Sequence, residues 1–114
     1  MNDIIKRKRQ LLANNKKVPE TYEELGWCCE MLGEFEESIK WYEHAAYSDD
    51  EYFSVEAQCA LGNIYMHSNF SGANEQIAIS WYRKAALKGH GCAQASLGHY
   101  YKEKKDFATA KLWS

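Results

Sequence analysis

The chain has 114 residues, 46% of them hydrophobic and 26% charged, a balance that suits one globular domain and excludes wholesale disorder. No stretch approaches the roughly 20 apolar residues of a membrane span, and Ile4-Ile5 and Leu11-Leu12 are too scattered for a signal-peptide core. The formal charge of −2 conceals a division: residues 1–18 carry six Lys/Arg against Asp3, whereas the rest carries eight basic and fifteen acidic side chains.

The four cysteines, Cys28, Cys29, Cys59 and Cys92, form no C-x-x-C pair, and their spacings fit no zinc pattern. Neighbours such as Cys28 and Cys29 point roughly 100° apart on a helix and poorly suit one metal. No metal and no cofactor is expected, and a reduced, cytoplasmic chain is the simpler reading.

One proline and seven glycines leave room for long helices. Residues 1–15 are predicted to form a short amphipathic helix, with Ile4, Ile5, Leu11 and Leu12 on one stripe and Lys6 to Arg9 mostly opposite. Three readings stay open for it: a cap over the helices that follow, a contact with an anionic membrane or nucleic acid, or a frayed end. Four clustered cations without interleaved aromatics are a weak nucleic-acid signal, so nucleic-acid and membrane partners are both disfavoured. Residues 19–32 form the next predicted helix. Pro19 suits its first turn, Tyr22, Leu25, Cys29 and Leu32 form its apolar stripe, and Gly33 ends it. A helix over 34–47 follows, with Phe35, Ile39, Tyr42 and Ala46 at helical spacing and Glu34, Glu36 and Glu37 at its acid-favouring N-terminus.

Residues 48–53 read as a loop with Asp49, Asp50 and Glu51 solvated; the alternating ligands and central glycine of a calcium loop are missing. The next helix covers 54–67 with Ser54 as its N-cap. A longer turn over 68–73 leads to a helix over 74–88, ended by Gly89 and Gly91. A helix over 92–104 and a last one over 107–114, capped by Asp106, complete the chain.

These elements repeat. Leu25-Gly26, Leu61-Gly62 and Leu97-Gly98 recur at steps of 36; Trp41-Tyr42 and Ala45-Ala46 return 40 residues later as Trp81-Tyr82 and Ala85-Ala86. The order Leu97-Gly98, Asp106-Phe107, Ala110, Trp113 parallels Leu25-Gly26, Glu34-Phe35, Ser38, Trp41, and the chain stops where the counterpart of Tyr42 is due. The final helix is therefore expected to be cut short, or the chain to be a fragment. A mid-helix glycine costs about 1 kcal/mol against alanine, so Gly26, Gly62 and Gly98 imply close approach of a neighbouring helix. Trp41, Tyr65, Trp81 and Tyr82 are large enough to fill the space between layers. One helix pair cannot bury its apolar face alone, and stacking supplies the core. The expected fold is all-α: a right-handed α-solenoid of antiparallel helix pairs, with an N-terminal helical segment over 1–18 and tandem repeats over 19–53, 54–90 and 91–114.

The pattern Ala57-x-x-x-Leu61-Gly62-x-x-Tyr65, then Ile79-x-Trp81-Tyr82-x-x-Ala85-Ala86-x-x-Gly89, resembles the Sel-one-like repeats, relatives of the tetratricopeptide repeats. Ala93-x-x-x-Leu97-Gly98-x-x-Tyr101 repeats its first half, and the resemblance covers roughly residues 20–114. The first repeat departs from it, with Cys29 in the tyrosine position and a short turn closer to a tetratricopeptide unit. The resemblance implies a non-enzymatic protein–protein interaction module that binds a peptide or protein on the concave face, lined mainly by the first helix of each pair. With Leu25, Leu61 and Leu97 turned inward, that face carries Glu20, Glu23, Trp27 and Glu30 from the first repeat. The second adds Glu56, Cys59, Asn63, Met66 and His67, and the third Ser96, His99 and Lys102. Trp27 lies off the apolar stripe of its helix, either as an anchor for a partner or packed on the N-terminal helix. The groove runs from acidic to mildly basic, which suits a partner with a basic segment steered by charge.

Small bacterial proteins of this family serve as adaptors in signalling, envelope regulation and host interaction; a narrower version is an immunity-type inhibitor of a bacterial toxin. No catalytic residue is expected. His44, His67, His90 and His99 join no recognised catalytic pattern, a metal site from Cys59, His67 and His99 is disfavoured, and no glycine-rich phosphate loop exists. Phe107 and Trp113 at the uncovered C-terminal end suggest oligomerisation through that end.

Overall fold

The computed structural model describes residues 2–14, 18–67 and 71–113, and every regular element among them is helical. In chain order these are α1 (Asn2–Asn14), α2 (Pro19–Met31), α3 (Phe35–Ala46), α4 (Glu51–His67), α5 (Glu75–Leu87), α6 (Gly91–Glu103) and α7 (Phe107–Trp113). Pairs α2–α3, α4–α5 and α6–α7 pack as hairpins; α4 then packs on α3, α6 on α5, and α1 on α2. The array is elongated, 48 × 30 × 19 Å, as stacking of hairpins requires. It is an all-α solenoid.

Local chemistry sets the helix ends. Pro19 opens α2, and Gly33, at φ 78°, closes it while Glu34 N–H donates to the Cys29 carbonyl at 2.8 Å. Asn74 caps α5 by accepting from the Gln76 and Ile77 amides, and Gly89 at φ 88° closes that helix. Asp106 caps α7 as expected, accepting from the Thr109 amide and hydroxyl. Two expectations fail. Helix α4 begins at Glu51, because Asp50 accepts from the Phe53 amide and is the cap; Ser54 is buried and its hydroxyl donates to the Ala46 carbonyl. Gly91 does not end α5 but is the first residue of α6, whose cap is His90: Nδ1 accepts from the Ala93 amide at 3.2 Å. The expected turn over 68–73 falls partly outside the described residues.

The core follows the repeat. Leu25, Leu61 and Leu97 are all buried, with Ala45, Ala46, Ala85 and Ala86 beside them. A Cβ at Gly26 would stand 2.8 Å from the Tyr42 ring, and one at Gly62 would stand 2.7 Å from the Tyr82 ring. Each of these glycines thus makes room for a tyrosine of its own hairpin, rather than for a neighbouring helix backbone. Gly98 has no such ring over it.

Helix α1 lies on α2 through Leu11, which is buried with Leu25 and Cys28, while Ile4 and Trp41 pack alongside. Leu12 is 47% exposed, so the expected four-residue stripe narrows to a line through Ile4 and Leu11, seven residues apart. The cations of α1 are partly taken up locally. Arg7 pairs with Glu24, and Lys8 Nζ donates to Glu34 at 2.7 Å and Glu37 at 3.1 Å.

Candidate functional site

Two cavities open on the first helices of the hairpins. One, of about 280 Å³, is lined by Glu20, Glu23, Glu24, Trp27, Tyr42 and Phe53. It unites three of the residues expected from sequence, Glu20, Glu23 and Trp27. Trp27 is 47% exposed, and the buried contact of α1 with α2 runs through Leu25 and Cys28. Burial raises the Glu23 carboxyl above the ordinary carboxylate range, and the neighbouring charges of Glu56, Glu20 and Glu24 add to the rise. Glu24 moves the other way, held low by the Arg7 guanidinium that hydrogen-bonds it. The first cavity is therefore a patch of crowded carboxylates beside an open indole face.

Phe53 was missed by sequence reasoning because it reads as loop. Since Asp50 starts α4 early, Phe53 falls on that helix and reaches the wall opposite Trp27. An aspartate three residues before an apolar side chain was the available signal. Glu30 was expected in the same patch. Its carboxylate instead accepts from the Tyr42 hydroxyl at 3.0 Å, and burial raises its pKa more than that bond lowers it.

The second cavity, about 330 Å³, lies between the second and third hairpins and brings together Met66, Ser96 and His99 of the expected set, with Tyr82 and Tyr100. His99 is largely exposed and pairs with Glu103. Asn63 is exposed, but its carbonyl oxygen accepts from the Tyr82 hydroxyl. Glu56 faces His90, with Nε2 and Oε1 3.2 Å apart. Because Nδ1 of His90 already accepts from an amide, Nε2 carries the proton and donates to Glu56, tying the second hairpin to the third.

Cys59 does not belong on this surface. It is only 6% exposed and packs with Val55, Ala78 and Tyr82 in the core, where burial pushes its thiol up to about 11. The placement fails because α4 is buried over a wider arc than α2, being flanked by hairpins on both sides. Of the Cys59–His67–His99 grouping, Cys59 is buried in the core and His99 lies exposed on Glu103, while the His67 side chain lies outside the described residues. Lys102 is absent from the second cavity and lines a cleft at α7 instead.

Among the described residues, the ligand atoms of Cys29, Glu34 and Glu37 lie within 4.8 Å of one another. The Lys8 ammonium already sits on both carboxylates, and burial pushes the Cys29 thiol up to about 11, so the cluster is an internal ion pair beside a neutral thiol. A more voluminous cavity, about 750 Å³, opens between α3 and Ser71, with Glu37, Lys40, Trp41 and His44 on its walls. It contains none of the expected site residues. No described helix is long and apolar enough to cross a membrane.

A family model described as tetratricopeptide repeat matches residues 19–52, which span the α2–α3 hairpin and the start of α4. No curated protein and no solved structure matches the chain.

Proposed function

Taking the chain as a tetratricopeptide-like helical repeat protein, we propose that it is a non-enzymatic module that binds a basic peptide segment on the face formed by α2 and α4. Repeats of this kind generally serve protein–protein interaction. The observation that carries the finer reading is the cavity in which Glu20 and Glu23 lie beside Trp27, with Glu24 already held by Arg7. Crowded, partly buried carboxylates favour a bound cation, since it relieves their repulsion. An exposed indole favours the same group, because ammonium and guanidinium ions are attracted to its face. An arginine or lysine side chain satisfies both. On this reading the second and third repeats belong with the Sel-one-like variety, on the strength of Ala57-x-x-x-Leu61-Gly62-x-x-Tyr65 and Ala93-x-x-x-Leu97-Gly98-x-x-Tyr101.

The test is calorimetric titration with an arginine-containing peptide and its glutamate-substituted counterpart, alongside recovery of partners from the native cell. Trp27→Ala is expected to weaken arginine-peptide binding about tenfold, the scale of a central aromatic anchor, with helix content unchanged. Equal binding of the two peptides, or indifference to Trp27→Ala, would remove the basis for this face.

A further inference from the structure

The cavity at α2 and α4 is richer in rings than in free hydrogen-bond acceptors. Of its six lining side chains, Trp27, Tyr42 and Phe53 are aromatic and Glu20, Glu23 and Glu24 are acidic. Glu24 is taken by the Arg7 guanidinium. The Tyr42 hydroxyl is used on Glu30, so Tyr42 brings only its ring. Phe53 is braced by Tyr52, edge to face, with ring centroids 5.0 Å apart and planes at 87°. Among the described residues, no lysine or arginine forms an ion pair with Glu20 or Glu23. Two carboxylates and three rings are therefore left for a ligand.

Resting on the reading of this face as a basic-peptide site, we propose that its occupant is a methylated lysine, in the dimethylated form, carried by another polypeptide. The argument matches donors to acceptors. An unmodified lysine ammonium is strongly hydrated and carries three N–H donors. Donors turned toward Trp27, Tyr42 or Phe53 lose their water and gain no hydrogen bond in return. Methylation keeps the charge and replaces donors by apolar groups, which suit a ring-lined wall. The one N–H that dimethyllysine retains is matched by Glu20 or Glu23. A trimethylated lysine has no donor for those carboxylates, and an arginine brings five in a fixed plane. Any of these cations relieves the crowding that raises the Glu23 carboxyl, so the rings decide among them.

The test is calorimetric titration of the whole chain with a short peptide that carries a single lysine, in unmodified and Nε-dimethylated forms, and with its arginine counterpart. The dimethylated peptide is expected to bind about tenfold tighter than either, the scale of one or two desolvated cation–π contacts. Trp27→Ala is expected to bring the ratio of dimethylated to unmodified affinity down to about one, with helix content unchanged. Phe53→Leu keeps an apolar side chain but loses the ring, and is expected to cut that ratio about threefold; it decides the matter alone if Trp27→Ala does not fold. Arginine or unmodified lysine binding as tightly as the dimethylated form overturns the inference and leaves the basic-peptide reading in place. Failure of all three peptides to bind overturns both. A preference for the methylated form that survives both substitutions puts the methyl groups elsewhere and also overturns the inference. So does free choline binding as tightly as the dimethylated peptide, since the occupant is then a quaternary-ammonium headgroup.

Discussion

The three mid-helix glycines look alike in sequence, yet their surroundings divide them. Gly26 and Gly62 each sit under a tyrosine ring at less than 3 Å from an added Cβ, so Gly62→Ala must push the Tyr82 ring out of a packed core. We expect it to lower stability by about 1–3 kcal/mol. Gly98→Ala meets only ordinary contacts and gains helix propensity, so it is expected to raise stability by up to about 1 kcal/mol. Chemical denaturation of the two variants checks the opposite signs. Glu23 supplies a second prediction at this scale. Its folded-state pKa is raised by burial and three nearby carboxylates, so the folded state favours the protonated acid. Stability that is present at low pH is lost as pH rises through the folded pKa, because ionisation then costs more in the fold than in the unfolded chain. Glu23→Gln is expected to leave the melting temperature near that of the parent at pH 4 and to raise it at pH 7. An equal difference at both pH values would show that the carboxylates are not coupled.

At the level of elements, turns and caps decide where each hairpin begins and ends. Gly33 and Lys105 are counterparts in the first and third hairpins, and Lys105 adopts φ 63° where the first hairpin uses glycine. A side chain in that left-handed region is strained, and Lys105→Gly is expected to stabilise the chain by about 0.5–1 kcal/mol in a denaturant titration. Helix α1 is basic, but its Lys8 is engaged by Glu34 and Glu37 and its Leu11 is buried on α2. We therefore propose that it caps the first hairpin. Deleting residues 1–17 should lower the melting temperature and expose Leu25 and Cys28, with thiol labelling of Cys28 as the direct readout. A truncated chain of unchanged stability that had lost binding to anionic vesicles or nucleic acid would assign the helix to a partner instead.

Across the whole molecule, charge runs unevenly. The first cavity carries Glu20 and Glu23 beside a Glu24 that Arg7 already holds, and the basic α1 lies on the same hairpin. Association of a basic peptide drawn to Glu20 and Glu23 should slow as salt shortens the Debye length from about 10 Å at 0.1 M to about 3 Å at 1 M. Stopped-flow association rates at the two salt concentrations check this; a rate indifferent to salt removes the steering argument.

Most of the architecture is legible in the amino-acid order. The Leu-Gly steps of 36, the Trp-Tyr return after 40 and the capping and glycine signals give the helical elements and their pairing, because periodicity and helix ends are local properties. The candidate site was legible only in part. Glu20, Glu23 and Trp27 come together as expected. Cys59 turns into the core, and Phe53 joins Trp27 because Asp50 starts α4 early. Glu30 and Asn63 are engaged by tyrosines from the facing helix. The sequence by itself determined that this chain forms stacked helix pairs, since hydrophobic spacing depends on near neighbours along the chain. Which side chains remain available to a partner was decided only by tertiary structure, because that depends on what an opposing helix, tens of residues away, places against each of them.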